Sequence, residues 1–256
     1  MQFRDLLIGI GLSIAGCAGQ AHGADLPQAP TPSIELQLQS ARQSYALGEI
    51  VELELVLRDV GLNATPVQTP DPRFGNLQLF ISSDGTHYRE YTGPRWGSVH
   101  ARQQARTLAP GEELRLAIPV LYNQRMPVVD LRPMYGEAIR ERRLDPGFAF
   151  TQPGRYWAKA VIRSLGRTFE SAPLGLDLHL PVGADAGVWQ RVRFDPSMAY
   201  FLHTGQVKFR PGSSRERQFI SALKSLSAGD PQSLLVQQFH ARALRLGLID
   251  APQASR

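Results

Sequence analysis

From Ile34 onward, apolar and polar residues alternate almost one for one. Ile34, Leu36 and Leu38 alternate with Glu35, Gln37 and Gln39, and Val51, Leu53, Leu55 and Leu57 with Glu52, Glu54, Val56 and Arg58. A period of two sends the two sets to opposite faces of an extended chain, whereas a helix would scatter both around its axis. Each such run therefore reads as a strand with one buried face. Further runs follow at Leu77–Ile81, with a return strand holding Tyr88 and Tyr91, then at Leu114–Val120, Tyr156–Ile162 and Leu174–Leu180. Turn residues separate them: Leu47-Gly48-Glu49, Ser83-Asp84-Gly85, Leu108-Ala109-Pro110-Gly111-Glu112 and Gln152-Pro153-Gly154. Asp-Gly between two apolar runs is a strong hairpin signal.

About seven short strands punctuated in this way suit an antiparallel immunoglobulin-like β-sandwich. Three stretches carry a resemblance: YALGEIVELELVLRDVG, LAPGEELRLAIPVLYN and FAFTQPGRYWAKAVI. They resemble strands of bacterial extracytoplasmic immunoglobulin-like or fibronectin-III-like domains. The resemblance covers residues 34–182 and implies a fold, not an activity. It also implies that Tyr156, just after the Pro-Gly turn, acts as the tyrosine-corner residue. The cysteine pair of antibody domains is absent.

After Asp185 the apolar spacing becomes helical. Val188, Trp189 and Val192 share a face, and Asp195-Pro196 is a cap followed by proline at the first helical position. Phe219, Ile220, Leu223 and Leu226 form an apolar stripe over residues 214–227. Asp230-Pro231 repeats the capping pattern before Leu234, Leu235, Gln238, Phe239, Arg242, Leu244 and Leu246. Residues 183–250 thus read as a C-terminal α-helical segment packed on the sandwich edge.

The start of the chain has another character. A short apolar run, Leu6–Ala15, follows a charged beginning and is too short to span a bilayer, which takes about 20 residues. Small residues follow, as in a secretory signal. Ile14-Ala15-Gly16-Cys17 resembles a lipobox, the cleavage motif of bacterial lipoproteins, and Cys17 is the sole cysteine in the chain. The resemblance implies a signal peptide over residues 1–17 and lipidation of Cys17, with membrane attachment through it. Two or more acyl chains give durable anchoring where one does not. Residues 18–33, rich in Ala, Gly, Pro and Gln, read as a flexible tether. By resemblance to lipoprotein sorting in enteric bacteria, Ala18 after the cysteine implies the outer membrane, facing the periplasm. Ala21-His22-Gly23-Ala24 offers the alternative of ordinary cleavage and a soluble periplasmic protein.

Charge excludes one class of partner. The formal net charge is +5, with 25 arginines against 3 lysines. The basic residues alternate with apolar ones along strands instead of clustering with aromatics, so nucleic-acid binding is not expected. Histidines 22, 87, 100, 179, 203 and 240 fall in no metal-binding spacing, and no Gly-x-Ser-x-Gly or phosphate-binding loop occurs. The reading is a non-catalytic protein with no cofactor and no metal.

Function on sandwiches sits in loops. Three connections are long: residues 60–75, 92–107 and 122–147. The second holds Arg95 and Trp96, the third Tyr135, Arg140 and Arg143. Trp96 can anchor a partner, and the arginines can meet a carboxylate or phosphate. These five are the candidate ligand-binding residues, and another envelope protein is the expected partner. A carbohydrate- or peptidoglycan-binding module is the alternative, needing several exposed aromatics on one face, with Trp96, Tyr91 and Tyr135 as nominees. An envelope hydrolase is a third reading and needs acids and a histidine clustered in a cleft.

Overall fold

The computed structural model describes residues 33–94, 104–124 and 146–249. The fold is mainly β, an immunoglobulin-like sandwich followed by α-helices. One layer is a three-stranded antiparallel sheet in the order β1 (Ile34–Ser40), β3 (Val51–Asp59), β8 (Glu113–Val120). The other is six-stranded. It runs β2 (Ser44–Ala46), β13 (Leu174–His179), β11 (Gly154–Ser164), β5 (Leu77–Ser82), β6 (Arg89–Tyr91), with β12 (Arg167–Glu170) also paired to β11.

The alternation dictates which face is buried. Leu36, Leu38, Leu53, Leu55 and Leu57 point inward from the first sheet to meet Leu79, Ile81, Tyr156, Ala158, Ala160 and Ile162 of the second. The outward set carries charge: Arg115 pairs with Glu54 at 2.8 Å and with Glu113 at 2.7 Å. A one-residue slip in any of these strands would exchange the two sets, so burial itself fixes the register. Tyr156 behaves as a tyrosine corner, its hydroxyl donating to the Gln152 carbonyl at 2.9 Å.

Several elements depart from the sequence expectation. The 60–75 and 92–107 connections are not loops throughout. They contain β4 (Thr65–Gln68) and β7 (Ala105–Leu108), which pair antiparallel with each other. A single 3₁₀ turn, Pro72–Phe74, also lies within the first of them. Four-residue strands, one of them interrupted by Pro66, carry too short an alternation to read. After Ser40 the chain crosses to the opposite sheet, where β2 runs parallel to β13, the one parallel pairing among the described strands. Leu180 lies beyond the end of β13 and is half exposed.

Four helices follow: α1 (Ala184–Val192), α2 (Pro196–Thr204), α3 (Ser214–Ser227) and α4 (Leu234–Arg245). Asp195 caps α2 as its sequence implies, accepting from the Ser197 N–H at 2.8 Å and the Met198 N–H at 3.2 Å. The second Asp-Pro does not open a helix. Asp230 instead organises a turn, and Ser233 caps α4 by accepting from the Val236 N–H at 3.0 Å. That start sets the buried stripe at Leu235, Val236, Phe239 and Ala243, leaving Leu234 and Leu246 about half exposed.

The helices share the core of the sandwich. Trp189 is fully buried and meets Phe148 edge-on at 4.9 Å between centroids. Gly48, at φ +92°, brings its backbone against the Trp189 ring: a Cβ there would lie 3.1 Å from the ring. Phe201 continues the cluster to Phe219 and Phe239.

Candidate binding surface

The two connections nominated from sequence leave the body at one place. The Thr92 N–H donates to Asn123 Oδ1 at 3.1 Å, and the Gln124 N–H donates to the Thr92 carbonyl at 2.7 Å. Strands β9 (Tyr122–Asn123) and β10 (Gly147–Phe148) pair across the base of the longer connection. The Ala149 N–H donates to the Leu121 carbonyl at 2.6 Å below them. Arg95, Trp96, Tyr135, Arg140 and Arg143 themselves lie outside the described residues, as does Cys17. What the structure brings together is their stems.

Around the stems stands a set of groups that lie far apart along the chain. The Tyr122 N–H donates to His203 Nδ1 at 3.2 Å. Burial, helped by the nearby Arg242 charge, pushes the His203 imidazole down to about 4. It is therefore neutral near pH 7, as its acceptor role requires. The buried Tyr91 hydroxyl donates to the Tyr122 carbonyl at 2.9 Å, and burial raises that phenol well above its usual range. The Tyr122 ring meets Tyr200 edge-on at 5.2 Å, and the Lys208 ammonium lies 5.6 Å from the Tyr200 ring centre. Arg242 is half-buried, which lowers its affinity for a proton, and Arg245 adds repulsion. Neither Lys208 nor Arg242 forms an ion pair with an acid among the described residues. The surface beside the stems is thus cationic and aromatic, suited to a carboxylate-bearing partner. One sequence signal pointed here: Arg242 follows Phe239 by three residues, on the apolar side of the last helix, where a charge is out of place.

Two other groupings bear on the alternatives. Tyr91, nominated as an exposed aromatic, is fully buried, because its place in β6 faces inward opposite Leu79. Three different aromatics share the outer face of the six-stranded sheet: Phe80, Tyr88 and Trp157 are all partly exposed there. Lys159 sits 4.7 Å above the Tyr88 ring and Arg155 lies 5.8 Å from the Trp157 ring. Ser82, Asp84 and His87 are also in contact, but Ser82 Oγ donates to Asp84 Oδ1 at 2.8 Å and does not touch the histidine. Asp84 accepts the backbone N–H groups of His87 and Thr86, both at 2.8 Å, and meets the His87 Nδ1 at 2.7 Å; the His87 contacts first, then Thr86, hold its carboxyl far below the usual range. The trio is a hairpin turn, not a nucleophile and its base.

No family model matches the chain, and no curated protein sequence matches it. Among solved structures it is similar to a β-glucosidase from Erythrobacter marinus, at 17% identity and TM-score 0.30, over 57% of this chain and 15% of that one. It is similar to the sporulation control protein of Bacillus subtilis at 11% identity and TM-score 0.32, over 59% and 51% of the two chains. The CARDB domain of a Pyrococcus furiosus protein aligns at 10% identity and TM-score 0.29, over 58% of this chain and 94% of that domain. This chain therefore spans about half of the sporulation protein and a small part of the glucosidase. The sandwich stands on its own strand registers, and these likenesses add no activity to it.

Proposed function

We propose that this is an exported bacterial protein anchored in the outer membrane through a lipidated Cys17. On this reading it faces the periplasm and binds another envelope protein without catalysis. The observation that supports binding is the hydrogen-bonded junction of Thr92, Asn123 and Gln124. It brings the described ends of the two connections that carry Arg95, Trp96, Tyr135, Arg140 and Arg143 together, near Lys208 and Arg242. Loops positioned by a rigid sandwich are the usual place for recognition. The sequence supports the anchor through Ile14-Ala15-Gly16-Cys17.

Mass spectrometry of protein purified from envelopes tests the anchor: an acylated N-terminal Cys17 supports it, and an unmodified chain beginning at Ala24 refutes it. Crosslinking in intact cells tests the surface. A defined adduct lost in Trp96→Ala and in Lys208→Glu, with folding intact, supports it; unchanged adducts refute it. The outer face bearing Phe80, Tyr88 and Trp157 favours a second reading, a glycan-binding face, since sugar rings stack on aromatics. Pull-down on purified peptidoglycan, with Trp157→Ala as the control, decides that reading.

A further inference from the structure

The two ends of the sandwich are finished differently. After Ser40 the chain turns into β2, which pairs with β13 at Asp177–His179, and β13 in turn pairs with β11 at Gly154. The Ser40 end of β1 therefore lies at the Gly154 end of β11. Its Ile34 end lies at the Ser164 end. That end gathers three exposed aliphatic side chains: Leu62 is 96% exposed, and Val60 and Leu165 are each 51% exposed. The chain enters the body beside them, because the Val60 N–H donates to the Ser33 carbonyl at 2.7 Å.

A single exposed leucine is ordinary. Leu165 is not, since it occupies the left-handed region at φ +49° in the two-residue turn Leu165-Gly166 between β11 and β12. Such turns take Asn, Asp or Gly, and a leucine there costs stability while half of its side chain stays exposed. Strain kept at an exposed site points to a use for the side chain. Arg163 and Arg167 flank the same turn, both exposed and neither in an ion pair among the described residues. Three acids are paired, Asp71 with Arg73, Glu112 with Arg106 and Glu170 with Lys159, while exposed Glu35 and buried Asp59, at the Ile34 end, form no ion pair among the described residues. The end is thus apolar at its tips and positively charged around Leu165.

We propose that this end docks on an anionic phospholipid surface, with Leu62, Val60 and Leu165 entering the headgroup layer and Arg163 and Arg167 meeting lipid phosphates. Exposed aliphatic tips with flanking arginines are complementary to such a bilayer. The proposal draws on the anchored reading for the proximity of a membrane. Residues 18–33 reach at most about 55 Å when extended, so an acylated Cys17 would keep Ser33 within that distance of lipid.

The test uses a chain beginning at Ala24, which retains every described core residue and carries no acyl group. Its partition to phosphatidylcholine vesicles with about one-third phosphatidylglycerol is compared with its partition to phosphatidylcholine alone. The unaltered chain binds the anionic vesicles, and less so at high salt. A Leu62→Ser/Leu165→Asn chain binds at least about tenfold more weakly. Its melting temperature does not fall, since Asn suits the left-handed turn. Arg163→Gln/Arg167→Gln loses the preference for anionic lipid. Absence of binding by the unaltered chain overturns the proposal, and so does equal binding by the leucine variant. A dimer that Leu62→Ser dissolves, with no vesicle binding, assigns the face to self-association and overturns it as well. An unacylated Cys17 with intact vesicle binding would refute the anchor and leave the docking face standing.

Discussion

His203 buries an imidazole that must stay neutral to accept the Tyr122 N–H, and acid removes that option. Its proton affinity is pushed down to about 4 from the ordinary 6.5, chiefly by burial and then by Arg242. In the unfolded chain the same imidazole titrates near 6.5. The unfolded state therefore takes up more protons as the pH falls below 6.5. The stability associated with neutral His203 is present above that value, is lost on acidification, and levels off below about 4. Each pH unit in the window is worth about 1.4 kcal/mol, so the loss is about 2 kcal/mol at pH 5 and about 3 kcal/mol at the acid limit. The Arg242 charge beside it repels the added proton throughout. The comparison is with His203→Asn, whose Oδ1 can replace Nδ1 as acceptor and does not titrate. Urea unfolding at pH 7.5 and pH 5 should show the unaltered protein losing about 2 kcal/mol more than the variant, other titrating groups being common to both. Parallel losses in the two proteins would refute the assignment of a neutral, buried His203.

Three further outcomes follow from particular contacts. Tyr156→Phe deletes the hydroxyl bonded to the Gln152 carbonyl and should cost about 1 kcal/mol in urea unfolding. Gly48→Ala combines a left-handed φ of +92° with a Cβ 3.1 Å from Trp189, and should lower stability by about 1–3 kcal/mol with a changed Trp fluorescence. Asp195→Ala leaves the first N–H groups of α2 without their acceptor and should cost about 1 kcal/mol, which Asp195→Asn should largely restore.

The six principal strands announce themselves because burial of one face imposes a period of two over six to eleven residues. The Asp195 cap and the α3 stripe are legible for a similar reason, since both depend on residues within one or two turns of helix. Strands β2, β4 and β7 were not legible. At three or four residues they contain too few alternations, and Pro66 breaks one of them; their pairing depends on partners such as Leu108 opposite Thr65. Asp230-Pro231 misled because a local capping pattern competes with a better one. Ser233, whose hydroxyl also donates to Asp185, begins α4 where Leu235 can enter the core.

At the candidate surface the same division holds. The sequence marks out the long connections, and with them Arg95, Trp96, Tyr135, Arg140 and Arg143, because nothing in those stretches alternates. It is silent on Tyr122 meeting His203, 81 residues away, and on Ser33, Leu62 and Leu165 sharing one end of the body. Alternation, turn chemistry and caps are short-range effects, so the residues that produce them stand near one another in the chain. Which strand faces which, and which side chains end up neighbours, is set by packing the whole core at once. Only the folded chain decides that.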